Sequence, residues 1–275
     1  MGSLIAGFMT RFRLLLFVLA VALAGAAGIG GYRFATGRLP WHALRGVGLK
    51  AISPDAARKD VETVLQNAPD YAPFFAALKT AFPNDHARLL AKFASRRALA
   101  GASESADLYV TEAVSSLSQT RGSLAARAST PALESIFTAQ AKIATALSKT
   151  DARLCVDFIY GNVSQGYFDF AARNRPLVAE MAGIGLDAIL DGQKTKAERG
   201  GPSEADLTLF ETALTKSGMS AAEIAAFVDG KSPEPPIADT KLCAAGLTYF
   251  SVLEGLDEAV RLRIYGRAVE LMAKS

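Results

Sequence analysis

The sequence predicts an all-α protein in which an apolar N-terminal segment precedes a soluble domain of about nine to ten short and medium helices. After residue 53, apolar residues recur at helical spacings of three, four and seven along most of the chain. Ser, Thr and Asp stand in capping positions before these runs, often beside proline. No stretch alternates apolar and polar residues long enough to form a strand.

The N-terminal segment is an uncharged run over residues 14–31. As a helix with a rise of about 1.5 Å per residue it would be about 27 Å long, close to the about 30 Å thickness of a bilayer core. We therefore predict a transmembrane signal anchor, or a signal peptide, over residues 1–32.

Three interpretations of this run remain open. Arg11, Arg13 and the triplet Ala22-Leu23-Ala24 fit a secretory signal peptide with its cleavage site. The run continues past that triplet, and Tyr32 and Trp41 follow where interfacial aromatic residues occur, which favours a retained anchor. Both of these interpretations export the rest of the chain, whereas the third, a buried core helix of a soluble protein, does not.

A basic juxtamembrane linker is expected over residues 33–52, which contain four basic residues and several Gly and Pro breakers. The chain has 30 basic and 27 acidic residues, but no acidic residue precedes Asp55. The body after the linker is therefore mildly acidic, and we expect no nucleic-acid partner. The expected partner at the N-terminus is the membrane.

Orientation is less constrained, because basic residues flank the apolar run almost equally on both sides. The short N-terminal tail favours a domain outside a bacterial inner membrane, in the periplasm. The opposite orientation, with the domain facing the cytoplasm, stays open.

The body, residues 53–275, is predicted to be helical throughout, with a possible internal joint at 192–203 or 230–238, where Gly- and Pro-rich polar stretches fall. Capping boxes are predicted at Ser203 and Ser220. The two long helices, at 105–128 and from 130 to about 160, are expected to pair antiparallel.

The sequence contains no recognisable catalytic, cofactor or metal motif. The only histidines are His42 and His86, no CxxC pair is present, and the nucleophile pattern G-x-S-x-G is missing. The glycines of residues 25–31 do not match the G-x-G-x-x-G spacing of a dinucleotide turn, since Arg33 occupies the last position. We therefore predict no cofactor and no metal, and catalytic residues stay unknown.

The two cysteines, Cys155 and Cys243, carry a moderate signal. An even number of cysteines in an exported protein favours a disulfide between them. In a reducing compartment the same residues would be small buried hydrophobes.

An aromatic segment at residues 155–170 interrupts the helical pattern with two glycines. Its rings either fill the core at a helix corner or form a binding patch for a partner. In the second case the patch would consist of Tyr160, Tyr167 and Phe168 with the nearby Arg173 and Arg175.

Together these features favour a membrane-tethered helical module that binds or scaffolds another envelope protein, and they favour a non-enzyme. One alternative is a hydrolase of an envelope polymer that uses an unidentified carboxylate pair, and another is a helical adaptor facing the cytoplasm. A convergent pair of buried carboxylates in a groove would favour the hydrolase. An open apolar groove without such a pair would favour the binding module.

Overall fold

A computed structural model describes residues 52–100 and 104–273. These residues form twelve α-helices and a 3-10 turn at Pro69–Tyr71, without a strand among them, which confirms the all-α class for this part of the chain. The helices are α1 (Pro54–Gln66), α2 (Ala72–Ala81), α3 (Pro83–Ala100), α4 (Ala106–Ala125), α5 (Thr130–Ser148), α6 (Ala152–Tyr160), α7 (Gln165–Arg173), α8 (Arg175–Thr195), α9 (Glu204–Lys216), α10 (Ala221–Val228), α11 (Asp239–Glu254) and α12 (Glu258–Met272).

The predicted membrane segment at residues 1–32 and nearly all of the predicted linker at 33–52 lie outside the described residues. Within 52–100 and 104–273, no helix combines the length and the apolar character needed to cross a bilayer.

Local capping chemistry sets several helix starts. The hydroxyl of Ser53 accepts a hydrogen bond from the backbone N–H of Ala56, in the first turn of α1. Proline occupies the first position of this helix. Both predicted capping boxes are confirmed: Ser203 pairs reciprocally with Asp206 at the start of α9, and Ser220 with Glu223 at the start of α10. Each box satisfies backbone N–H groups that would otherwise lack partners.

Helix α8 organises the packing. It lies against α4 on one side and against α5 on the other, while α12 also contacts both α4 and α5. These four helices form a ring in which α4 faces α5, and α8 faces α12, with little direct contact across it. The predicted antiparallel pairing of the helices at 105–128 and 130–160 is therefore wrong, because α8 and α12 lie between them.

The remaining helices cover this ring. On one side α3 packs on α1 and α2, and α2 reaches α8; on the other, α11 packs on α5 and α6 and carries α9 and α10. Buried apolar side chains from Val61 to Met272 form one contiguous cluster. The stretches at 192–203 and 230–238 thus connect helices that share a core.

Candidate functional site

The ring of four helices surrounds an apolar groove, called here the central groove. It is lined by residues within 114–125 of α4, 136–140 of α5, 181–189 of α8 and 269–272 of α12, together with Phe74 of α2. The space inside the groove that a water-sized sphere can enter is about 90 Å³. The groove is therefore a narrow slot, smaller than the about 300–1,000 Å³ of most small-molecule sites.

Small side chains explain why the centre of the ring is not filled. Its walls include Ala125, Ala139, Ala182 and Gly185, where a packed bundle would place large interdigitating residues. A Cβ atom added at Gly185 would meet no other atom within 4 Å, leaving out its chain neighbours and its own helix backbone. The helix backbone therefore borders open space at this position.

One polar group in the groove wall has an unused hydrogen-bonding atom. Gln140 is 8% exposed, and its amide nitrogen donates to the sulfur of Met272 at 3.7 Å. Its Oε1 atom is buried and has no hydrogen-bond partner among the described residues. An unsatisfied buried acceptor costs about 1–3 kcal/mol, so it calls for an explanation.

No Asp, Glu, Lys, Arg or His is among the described residues that line the central groove. Its wall offers apolar carbon, the Gln140 amide and the Ser118 hydroxyl. Such a surface recognises apolar groups, and it carries no acid or base for proton transfer.

The most buried carboxylate, Asp107, lies outside this groove and serves the core. It is 1% exposed, accepts a hydrogen bond from the Tyr71 hydroxyl at 2.7 Å and receives two from the Arg175 guanidinium at 3.0 Å. Burial alone would raise the pKa of Asp107, but the hydrogen bonds from Arg175 and Tyr71 outweigh it and hold that pKa below its usual value. Burial, reinforced by the hydrogen bond to Asp107, raises the pKa of Tyr71.

The other buried carboxylates that the structure describes are also ion-paired. Asp206 receives two hydrogen bonds from Arg263, at 2.7 and 2.9 Å, and these hold the pKa of Asp206 well below its usual range. Asp85 is paired with Arg88 and Arg121, and Glu112 with Lys92 and Arg96. A general acid needs a raised pKa, so the lowered values at Asp107 and Asp206 fit structural ion pairs.

The residues of the predicted partner patch differ in their burial. Tyr167 is buried and 5% exposed, so its ring belongs to the core and not to an open surface. Tyr160 is half-buried and stacks on Phe227 at 5.4 Å between ring centroids, and Phe168 is half-buried against the core.

The two arginines of that patch have different environments. Arg173 is exposed at the end of α7, whereas Arg175, 33% exposed, is engaged with Asp107. The patch therefore does not form as one surface, because Tyr167 and Arg175 are used inside the domain. A partner contact through Phe168 and Arg173 stays a prediction.

The predicted disulfide is present: Cys155 of α6 is bonded to Cys243 of α11, with 5.7 Å between their Cα atoms. Both residues are buried. The bond fixes α11 to α6 at the back of the ring, beyond α5, which contacts both helices.

The central groove was not predicted from the sequence. The helical spacing of Ile136, Met181 and Ile184 indicates only that each lies on an apolar helix face. Two features of the sequence indicate an unusual site here. Gly183 and Gly185 interrupt the middle of an apolar helix, and Gln140 interrupts an apolar helix face.

In the part of the chain that the structure describes, no group of three or more His, Cys, Asp and Glu side chains could hold a metal ion. No protein-family model, curated protein or solved structure matches the chain. The groove and the disulfide are the features of the described residues that bear on function.

Proposed function

We propose that the chain is a membrane-tethered helical binding module of the bacterial envelope, with its helical domain on the outer side of the inner membrane. The observation that carries the binding role is the central groove: an open apolar site without a charged residue among the described residues that line it. Binding sites are typically lined by apolar side chains with a small number of polar groups, and the lining of this groove has that composition.

The disulfide supports the outer side of the membrane. Cys155–Cys243 is a structural bond between two buried residues, and such bonds persist in oxidising compartments. The apolar run at residues 14–31 supplies the means of export and, if retained, the tether. A cytoplasm-facing adaptor would have to keep this bond against a reducing environment.

A carboxylate-dependent hydrolase receives less support. Each buried carboxylate within the described ranges is paired with an arginine or lysine, and the pKa values of Asp107 and Asp206 are lowered. These acids stabilise the fold, and they are not among the residues lining the central groove.

Compartment can be tested on the full-length protein in intact cells. An external protease should degrade the domain after the outer membrane is opened, while the inner membrane stays intact. Alkylation should detect no free thiol until a reductant is added. Protection from the protease, together with two thiols that react without reductant, would contradict the proposal and favour the cytoplasmic adaptor.

Binding can be tested with photo-methionine, a diazirine analogue of nearly native size that cells incorporate. Of the five methionines, Met181 and Met272 line the groove, and Met219 is buried elsewhere, which makes it an internal control. Irradiation in cells should produce adducts at Met181 or Met272 and none at Met219. If neither groove methionine captures a molecule, the binding role fails.

A further inference from the structure

We infer that the central groove holds the hydrocarbon chain of a single-chain membrane lipid, whose polar end donates a hydrogen bond to Gln140. The inference deepens the proposed binding role and rests on it. It follows from the width of the groove, from the chemistry of the groove wall and from the proposed tether that holds the domain near a bilayer.

The width excludes a helix as the occupant. Neighbouring helices of the ring contact each other on all four sides, with axes about 8–10 Å apart in such packing. Another helix with side chains is about 10–12 Å across, so it would have to force the ring open. A chain as thin as one row of methylene groups can enter without such a change.

The polarity of the wall excludes an extended peptide. Every residue of a peptide brings one backbone C=O group and, except for proline, one N–H group, which must find partners once they are buried. Among the described residues that line the groove, Gln140 and Ser118 are the only ones with polar side chains. A hydrocarbon chain has no such groups to satisfy.

The length of the groove suits a lipid chain. The lining residues extend over 114–125 of α4 and 181–189 of α8, which at the helical rise corresponds to about 12–16 Å. Glycine and alanine form part of the walls over this length. They leave a narrow slot instead of a wide chamber.

The predicted tether brings the groove to a source of lipid. The apolar run ends at residue 31, and the described helices begin at Pro54. Even fully extended, the 20 residues at 33–52 reach at most about 70 Å. With the apolar run retained as the proposed tether, the domain stays within this distance of the bilayer, which is a source of lipid.

Gln140 indicates the chemistry of the polar end. Its Oε1 atom can only accept a hydrogen bond, and it has no partner among the described residues. A hydroxyl, an amide N–H or a protonated carboxyl group would satisfy it. An ether or ester oxygen would not.

Two glycines of α8 provide a matched test. Neither Gly183 nor Gly185 has an atom within 4 Å of an added Cβ, neighbours and own helix backbone aside, but only Gly185 lines the groove. Full-length protein in isolated membranes would be irradiated with a long-chain alcohol that carries a diazirine near its methyl end. Peptides from 181–189 should be labelled in the wild type and in Gly183→Leu, but not in Gly185→Leu.

The melting temperature and the intact disulfide of each variant show whether that variant is folded. If Gly185→Leu does not fold, Gly185→Ala provides a smaller block, and labelling should then fall below the Gly183→Ala level. Equal labelling of the two position-matched variants, or labelling confined to residues 14–31, would overturn the inference.

Other occupants give distinguishable results in the photo-methionine experiment. Cross-links from Met181 to a second copy or to another protein would overturn the lipid assignment and leave the binding role standing. Cross-links to residues 14–31 of the same chain would overturn both. The absence of any adduct at Met181 and Met272 would remove both proposals.

The hydrogen bond to Gln140 is tested by comparing the alcohol probe with its methyl ether. The wild type should label about 2- to 10-fold more with the alcohol, the range expected for one hydrogen bond. Gln140→Leu should label equally with both probes. Equal labelling in the wild type would overturn the role of Gln140.

Discussion

Arg175, at the first position of α8, binds the carboxylate of Asp107, at the second position of α4, through two hydrogen bonds of 3.0 Å. The pair joins the two helices that form one side of the central groove, and Tyr71 completes it from the 3-10 turn. Residues separated by 68 positions thus fix the register of α4 against α8.

Replacing Arg175 by alanine should destabilise the protein, because it leaves a buried carboxylate with Tyr71 as its remaining side-chain partner. Loss of a partner from a fully buried ion pair costs about 3–5 kcal/mol, and the partial exposure of Arg175 lowers the expected cost to about 2–3 kcal/mol. Arg173→Ala, at an exposed position nearby, is the control and should cost less than about 0.5 kcal/mol. Urea unfolding measures both; equal costs would contradict the structural role of Arg175.

Reduction of Cys155–Cys243 should lower stability substantially. The bond closes a loop of 88 residues, for which the chain-entropy model gives an upper limit of about 4–5 kcal/mol. At about 2–4 °C per kcal/mol for a domain of this size, the melting temperature should fall by at most about 8–20 °C. A Cys155→Ala/Cys243→Ala variant should melt at the lower temperature with or without reductant. A wild type that melts equally in both conditions would show that the bond contributes little.

Stability should also fall at alkaline pH. Burial raises the pKa of Tyr71, Tyr167 and Tyr249, and it raises that of Tyr265 to about 12. Above about pH 10 the unfolded chain loses these protons while the folded protein retains them, so unfolding becomes more favourable as the pH rises. Urea midpoints between about pH 9 and pH 11 measure the slope. Tyr265→Phe should have a shallower slope, and an unchanged slope would exclude Tyr265 as a contributor.

The aromatic segment gives a further comparison. Tyr167→Ala should cost about 3 kcal/mol or more, because the ring is buried, whereas Phe168→Ala should cost less, since that ring is only half-buried. If Phe168 contacts a partner, its substitution should reduce co-purification of that partner without a comparable loss of stability. Equal and large costs at both positions, with no partner lost, would end the patch hypothesis.

Helix boundaries were predictable because they depend on local chemistry. The capping boxes predicted at Ser203 and Ser220 form at the starts of α9 and α10. Proline and cap residues act within one turn, so a single sequence contains the information. The disulfide was predictable for another reason, because two cysteines allow only one intramolecular pairing.

The site was not predictable in the same way. Arg175 looked like a surface residue beside aromatic rings, and its partner Asp107 lies on another helix. The central groove requires that α4, α5, α8 and α12 meet, and helical periodicity does not specify which helices become neighbours. The same periodicity assigns Met181 and Ile184 to a buried face but cannot show that the space beside them is open.

Three glycines within α8 provide the last prediction, since they share a helix but differ in their surroundings. A Cβ at Gly192 would lie 1.9 Å from the carbonyl oxygen of Leu124, where backbone meets backbone. Gly192→Ala should therefore separate α8 from the end of α4 and cost more than about 3 kcal/mol. Gly183 and Gly185 border open space, so alanine at either should raise stability by about 0.5–1 kcal/mol through its higher helix propensity.

Urea stability and photolabelling, measured on the same variants, separate an effect on packing from an effect on binding. If stability alone governed α8, alanine would be preferred at both open positions. We expect Gly183→Ala and Gly185→Ala to raise the urea midpoint equally, while only Gly185→Ala reduces labelling of the central groove by the photoreactive alcohol. If Gly185→Ala stabilises the domain and leaves labelling at the Gly183→Ala level, the glycine does not serve to keep the groove open.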